Sequence, residues 1–141
     1  MHCTDALAAY PACPACSLKK SIFHLDPIVI QARSTSFELW DAQKNLLAGD
    51  VGVIVGGVYT SFSGFYVKDG VGTIQILAMA KLLEKSGFSF LDLGQFIEYK
   101  KGLGSVVIPR AEFLTAYHSA RVKPSPQLSS STLWLCSDLI R

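Results

Sequence analysis

FYVKDGVGTIQILAMAKLLEKSGFSFLDL, residues 65–93, changes its hydrophobic period twice. Phe65 to Val67 reads as a short strand. From Thr73 to Ser86 the residues are strong helix formers, with Lys81, Glu84 and Lys85 confined to the last turns and Gly87 as the stop signal. Such a helix is apolar nearly all round, so it is expected to lie buried against a sheet. Phe88 to Leu93 returns to strand character, with Phe88, Phe90 and Asp92 on one side and Ser89 and Leu91 on the other. The stretch therefore predicts a strand-helix-strand unit.

Upstream, Phe37 and Leu39 alternate with Glu38 and Trp40 in a strand that begins near Ile28, and Asp41 to Asn45 is its turn. Leu46 to Thr60 reads as one or two strands, bent near Gly56-Gly57, and Ser61 to Gly64 as a second turn. Downstream, Gln95 to Lys101 suggests a short helix and Val106 to Ile108 a last strand. Pro109 opens a helix that runs to about His118. The order predicts an α+β sandwich, an antiparallel meander feeding a central crossover unit. Residues 1–27 read as an irregular leader broken by Pro11, Pro14 and Pro27, residues 28–121 as the domain, and residues 122–141 as a loose Pro- and Ser-rich tail.

Composition narrows the function classes. Of 141 residues, 50% are hydrophobic and 17% charged, which excludes a disordered or solubilising segment. With so few charges, the chain either buries strands on both faces or leaves apolar surface uncovered. The net charge of +2 advertises no nucleic-acid binding by itself. Residues 71–141 nevertheless carry 8 basic against 5 acidic side chains, so an anionic partner is expected on that half. The longest charge-free run, Val51 to Val67, has 17 residues and many glycines, too short for a membrane span. No secretory signal is visible, and the expected location is the cytoplasm, with Cys3, Cys13, Cys16 and Cys136 as thiols.

Four features could carry chemistry. Cys13 and Cys16, with Cys3 and His24 nearby, could make a zinc or redox site, although coincidence in a flexible leader is the simpler reading of a single C-x-x-C pair. Lys68-Asp-Gly-Val-Gly-Thr73 could cradle a phosphate of coenzyme A at a helix N-terminus; a plain tight turn is the simpler reading. Asp92, among Phe88, Phe90, Leu91 and Leu93, either faces a cleft or is a buried hydrogen-bond acceptor. Lys100, Lys101, Arg110, Arg121 and Lys123 form a basic concentration, a solvated face or a phosphate-binding one.

Ser86-Gly-Phe-Ser-Phe-Leu-Asp92, then Leu103-Gly104, then Val107-Ile-Pro-Arg-Ala-Glu-Phe-Leu114 resembles the closing signature of leucyl/phenylalanyl-tRNA–protein transferases. Ser36-Phe-Glu-Leu-Trp40 and Val55-Gly-Gly-Val-Tyr59 are similar to that family's paired-strand motifs, in the same order, and the resemblance covers about residues 35–118. It implies a fold related to the Gcn5-type N-acetyltransferases. It also implies transfer of leucine, phenylalanine or methionine from aminoacyl-tRNA to the N-terminal Arg or Lys of an acceptor protein, marking that protein for degradation. No cofactor or metal is implied. Asp92 falls on the family's catalytic aspartate, with Gln95 as its helper if the backbone turns at Gly94, because the family's glutamine position is glycine here. Met79, Leu91, Tyr59 and Asp69 are the expected substrate contacts, and Lys100, Lys101, Arg110 and Arg121 the expected tRNA contacts.

Three departures accompany the resemblance. Besides the glycine at 94, a Gly-Glu-Ser motif before the buried helix is absent, with Asp69 the nearest acid, and the family's N-terminal domain has no counterpart in the leader. A truncated form is expected to self-associate through uncovered apolar surface. The alternatives are an acetyl-CoA-dependent N-acetyltransferase using Gly70 and Gly72, and a noncatalytic binding module that retains the fold.

Overall fold

A computed structural model describes residues 16–23, 32–128 and 133–140. Four strands follow one another, β1 (Ser17–Phe23), β2 (Ala32–Trp40), β3 (Leu46–Val55) and β4 (Val58–Tyr66), each antiparallel to the last. Helix α1 (Val71–Lys85) then crosses to β5 (Phe90–Asp92), which pairs parallel with β4. Two short connections and helices follow, α2 (Glu98–Gly102) and α3 (Arg110–Arg121), and then β6 (Leu133–Leu135), antiparallel to β1, and α4 (Cys136–Leu139). The sheet order is β5-β4-β3-β2-β1-β6. The fold is α+β with a mixed sheet, and the β4-α1-β5 unit occupies one edge rather than the expected centre.

Local chemistry explains the turns. Asp41 Oδ1 accepts from the Gln43 and Asn45 amides at 2.9 and 2.8 Å, closing the β2–β3 connection. Gly56-Gly57 is the two-residue loop between β3 and β4, with Gly56 at φ 56°, a conformation that suits the twist of a tight hairpin. The Gly57 amide donates to the Ala120 carbonyl at 2.9 Å, which docks the end of α3 on the hairpin. The turn expected at Ser61 to Gly64 is instead strand: β4 runs on to Tyr66, and the register shift between Val51 and Gly52 leaves Phe62 as one extra residue. The serines and glycine there accommodate a β-bulge rather than a reversal.

Helix α1 buries Ile76, Leu77, Met79, Leu82 and Leu83 among Leu18, Phe37, Leu39 and Tyr59 of the sheet. Phe37 and Tyr59 meet edge to face at 5.0 Å. Two segments expected to be irregular are not: residues 17–23 are β1, and the tail contributes β6 and a short α4 whose Cys136 and Leu139 are buried. The alternation Cys16, Leu18, Lys20 against Ser17, Lys19, Ser21 was masked by an inward lysine, whose Nζ donates to the Leu128 carbonyl at 3.0 Å. Conversely, Val106 to Ile108 forms no strand and is exposed. Among the described residues no helix is long and apolar enough to cross a membrane.

Candidate functional site

Two clefts flank the C-terminal end of β5. In the first, of about 600 Å³, Asp92 lies at the strand end, half-buried. Its Oδ2 accepts from the Thr60 hydroxyl at 3.3 Å and its Oδ1 from the Gly94 amide at 2.9 Å. Gly94 has φ 69°, in the left-handed region that favours glycine. The reversal there carries the chain round the carboxylate, so Gln95 lines the same cleft as Asp92. Phe96, Ile97, Val106, Val107 and Phe113 make the remaining surface largely apolar, and Arg110 stands among the lining residues. Such a site can accept N–H bonds from an amine beside an apolar group and place a guanidinium near an anion.

The second cleft, of about 410 Å³, has an acid that pattern reading passes over. Asp50 is the charge in the otherwise apolar β3 and is 7% exposed. Its Oδ1 accepts from the Tyr59 hydroxyl and its Oδ2 from the Ser61 hydroxyl, each at 2.5 Å. Burial pushes the Asp50 carboxyl above its usual range, against the two hydroxyl bonds and the nearby Lys100, which pull it down. The Tyr59 phenol is displaced upward by burial and by the Asp50 charge. The signal was present: a lone acid in an apolar strand, facing Tyr59 and Ser61 two residues apart on the next. Leu93, Ile97 and Lys100 line both clefts, and Lys100 Nζ donates to the Leu93 carbonyl at 2.6 Å.

The expected site residues are distributed unequally. Asp92, Gln95, Leu91, Lys100 and Arg110 line the first cleft, and Asp69 with Lys100 the second. Met79 is fully buried in the core beside Gln75 and lines neither cleft; Ile76, almost one turn earlier, lines the second. Tyr59 is likewise buried and supports Asp50 rather than presenting a surface to a ligand. Lys101 is exposed and lies 4.0 Å from Glu98. Arg121 stands at the opposite end of α3 from Arg110, its carbonyl against Gly56. Gly70 and Gly72 line the second cleft at the start of α1. Cys3, Cys13 and His24 lie outside the described residues, while Cys16 and Cys136 are buried. Among the described residues no group of three metal-ligating side chains converges.

Comparison with known proteins places these elements in a context. A family model described as leucyl/phenylalanyl-tRNA protein transferase matches residues 27–118. The chain is similar to the leucyl/phenylalanyl-tRNA–protein transferase of Shewanella frigidimarina, 28% identical over 105 residues, covering 74% of this chain and 43% of that protein. The protein of the same name from Nitratidesulfovibrio vulgaris strain DP4 is 32% identical over 90 residues, covering 64% and 38%. That of Pseudoalteromonas atlantica is 31% identical over 104 residues, covering 74% and 42%. This chain thus spans about two-fifths of the length of the curated relatives it matches.

Proposed function

The chain belongs to the leucyl/phenylalanyl-tRNA protein transferase family, and from that premise we propose that it moves leucine, phenylalanine or methionine from aminoacyl-tRNA to the N-terminal Arg or Lys of an acceptor protein. The product carries a new N-terminal residue that marks it for degradation, and the reaction takes place in the cytoplasm. The fold is of the Gcn5-related acetyltransferase type; the antiparallel run ending in a parallel β4/β5 pair joined through α1 supports that relation.

The chemistry is aminolysis of an ester. The acceptor α-amine attacks the ester carbonyl, a C–N bond forms, the C–O bond to the tRNA ribose breaks, and the amine proton ends on the departing hydroxyl. Asp92 accepts an N–H of the amine and holds its lone pair toward the carbonyl. Gln95 borders the same reacting group. The aminoacyl side chain lies against Phe96, Ile97 and Phe113, with Leu91 behind, and Arg110 and Lys100 meet the 3′ end of the tRNA. Lys101 and Arg121 extend the basic contacts along the tRNA. The observation that carries this reading is the Gly94 turn, which supports a pairing of Gln95 with Asp92 over an apolar cleft.

The test is transfer of labelled leucine or phenylalanine from tRNA to a peptide beginning with Arg. Transfer is expected; tRNA binding without transfer to any basic N-terminus would overturn the reading in favour of a noncatalytic module. Gly70 and Gly72 at the second cleft motivate the N-acetyltransferase reading, and calorimetry with coenzyme A separates it, because only that enzyme binds the cofactor.

A further inference from the structure

A carboxylate buried in an apolar strand must be compensated or it destabilises the fold. Asp50 has one hydroxyl donor on each oxygen, and each carboxylate oxygen retains a further acceptor position. Among the described residues no lysine or arginine forms an ion pair with it: the ion pairs there are Lys81–Glu84 and Lys101–Glu98, and the nearby Lys100 ammonium is engaged by the Leu93 carbonyl. Asp50 nevertheless lines a cleft whose walls include Phe62, Phe65, Tyr66, Tyr99 and Ile76. An acid floor beneath aromatic and aliphatic walls suits a cation carried on an apolar stem: methylenes lie along the walls, the charge meets the carboxylate, and ring faces add attraction. The same floor disfavours a phosphate or carboxylate ligand.

The position of the cleft relates it to Asp92. The two cavities share Leu93, Ile97 and Lys100, and the Ser61 that holds Asp50 has its carbonyl oxygen 4.0 Å from the place where a side chain on Gly94 would begin. We infer that Asp50 is a specificity-determining residue that receives the guanidinium or ammonium group of the acceptor's first residue while Asp92 holds that residue's α-amine. The inference rests on the proposed function for the identity of the acceptor. Tyr59 and Ser61 are positioning residues: their hydroxyls fix both carboxylate oxygens and leave the outer lone pairs for the ligand.

The experiment compares a pentapeptide beginning with Arg and one beginning with citrulline, its neutral isostere, by titration calorimetry and by transfer kinetics. The full chain is expected to bind the Arg peptide about tenfold or more tightly than the citrulline peptide, the range of a charge-assisted hydrogen bond. Asp50→Asn is expected to abolish that preference by raising KM for the Arg peptide, with KM for aminoacyl-tRNA unchanged. Tyr59→Phe and Ser61→Ala are expected to reduce it partially. The citrulline comparison needs no substitution, so it decides even if a variant folds poorly. Transfer with equal use of both peptides overturns the role of Asp50 and leaves the transferase intact. An Asp50-dependent preference in binding without any transfer supports the cation site and overturns the proposed reaction. Absence of both overturns both.

Discussion

Replacing Gly94 with alanine separates the cost of a backbone conformation from the chemistry that depends on it. Gly94 sits at φ 69°, and a Cβ there has only the Ser61 carbonyl oxygen near it, at 4.0 Å. No clash opposes the substitution, so its cost is the left-handed conformation itself, about 1–2 kcal/mol. Gly87, after α1, supplies the matched control: φ 85° with nothing within 4 Å, in the amide-to-carbonyl turn that ends the helix. Both variants should lower Tm by several degrees, roughly 4 °C per kcal/mol for a chain of this length. They should differ in transfer. Alanine at 94 favours relaxation out of the left-handed region, which removes the amide donated to Asp92 and redirects Gln95, so kcat is expected to fall at least about tenfold. Alanine at 87 leaves the cleft untouched and transfer, assayed well below Tm, near the unsubstituted rate. A Gly94→Ala protein with lowered Tm and unchanged kcat would refute the role given to the turn. So would equal losses of transfer in both variants.

Three further outcomes follow from other parts of the molecule. Burial raises the Asp50 pKa in the fold, against the Ser61 and Tyr59 hydroxyl bonds that lower it, so ionising Asp50 costs the folded state stability. Its contribution to stability is present below the ordinary carboxylate pKa and is lost as pH rises through the raised value. Asp50→Asn should therefore unfold at a higher temperature than the unsubstituted chain at pH 7, with the gap closing toward pH 4. Lower stability of the variant at pH 7 would mean that the two hydroxyl bonds outweigh desolvation. Gly56→Ala combines φ 56° with a Cβ 2.3 Å from the Arg121 carbonyl oxygen, so it should cost more than about 2 kcal/mol and detach the end of α3, read as loss of protection of the Gly57 amide in hydrogen exchange. Finally, Phe62, Val106 and Val107 are 70%, 78% and 72% exposed. The chain should bind the dye ANS and self-associate at high concentration; a monodisperse chain that leaves the dye dark would contradict that.

The legible elements were those whose local chemistry and tertiary environment agree. The apolar run from Thr73 to Ser86, Asp41 in its turn and the Gly56-Gly57 pair all specify their conformation within a few residues, and each stands where the sequence places it, α1 beginning two residues earlier. The placement of Asp92 at a strand end beside a cleft is legible because a charge interrupts a run of aromatic and aliphatic residues. Elements decided by partners distant in sequence were not. β1 depends on pairing with β2 and β6 and on a carbonyl 108 residues away that accepts from Lys20, so nothing local marks that lysine as inward. The bulge at Phe62 borrows the residues of a turn, and nothing local distinguishes the two. Val106 to Ile108 has strand composition but lines a cleft instead of joining the sheet. Asp50 carries no local mark because its hydroxyl partners, Tyr59 and Ser61, lie on the neighbouring strand, and a helix that is apolar nearly all round gives no sign of which face reaches a cleft, so that Met79 lies in the core and Ile76 at the cleft.

Single-turnover transfer of phenylalanine from tRNA to an Arg-initiated peptide by the Asp92→Asn variant tests most directly whether Asp92 acts upon the incoming amine. Asparagine keeps the size of the side chain and an oxygen for the Gly94 amide, so folding and peptide affinity should change little. The rate is expected to fall by roughly 10²-fold or more, as for loss of a positioned proton acceptor. Transfer by Asp92→Asn at the unsubstituted rate would contradict the account.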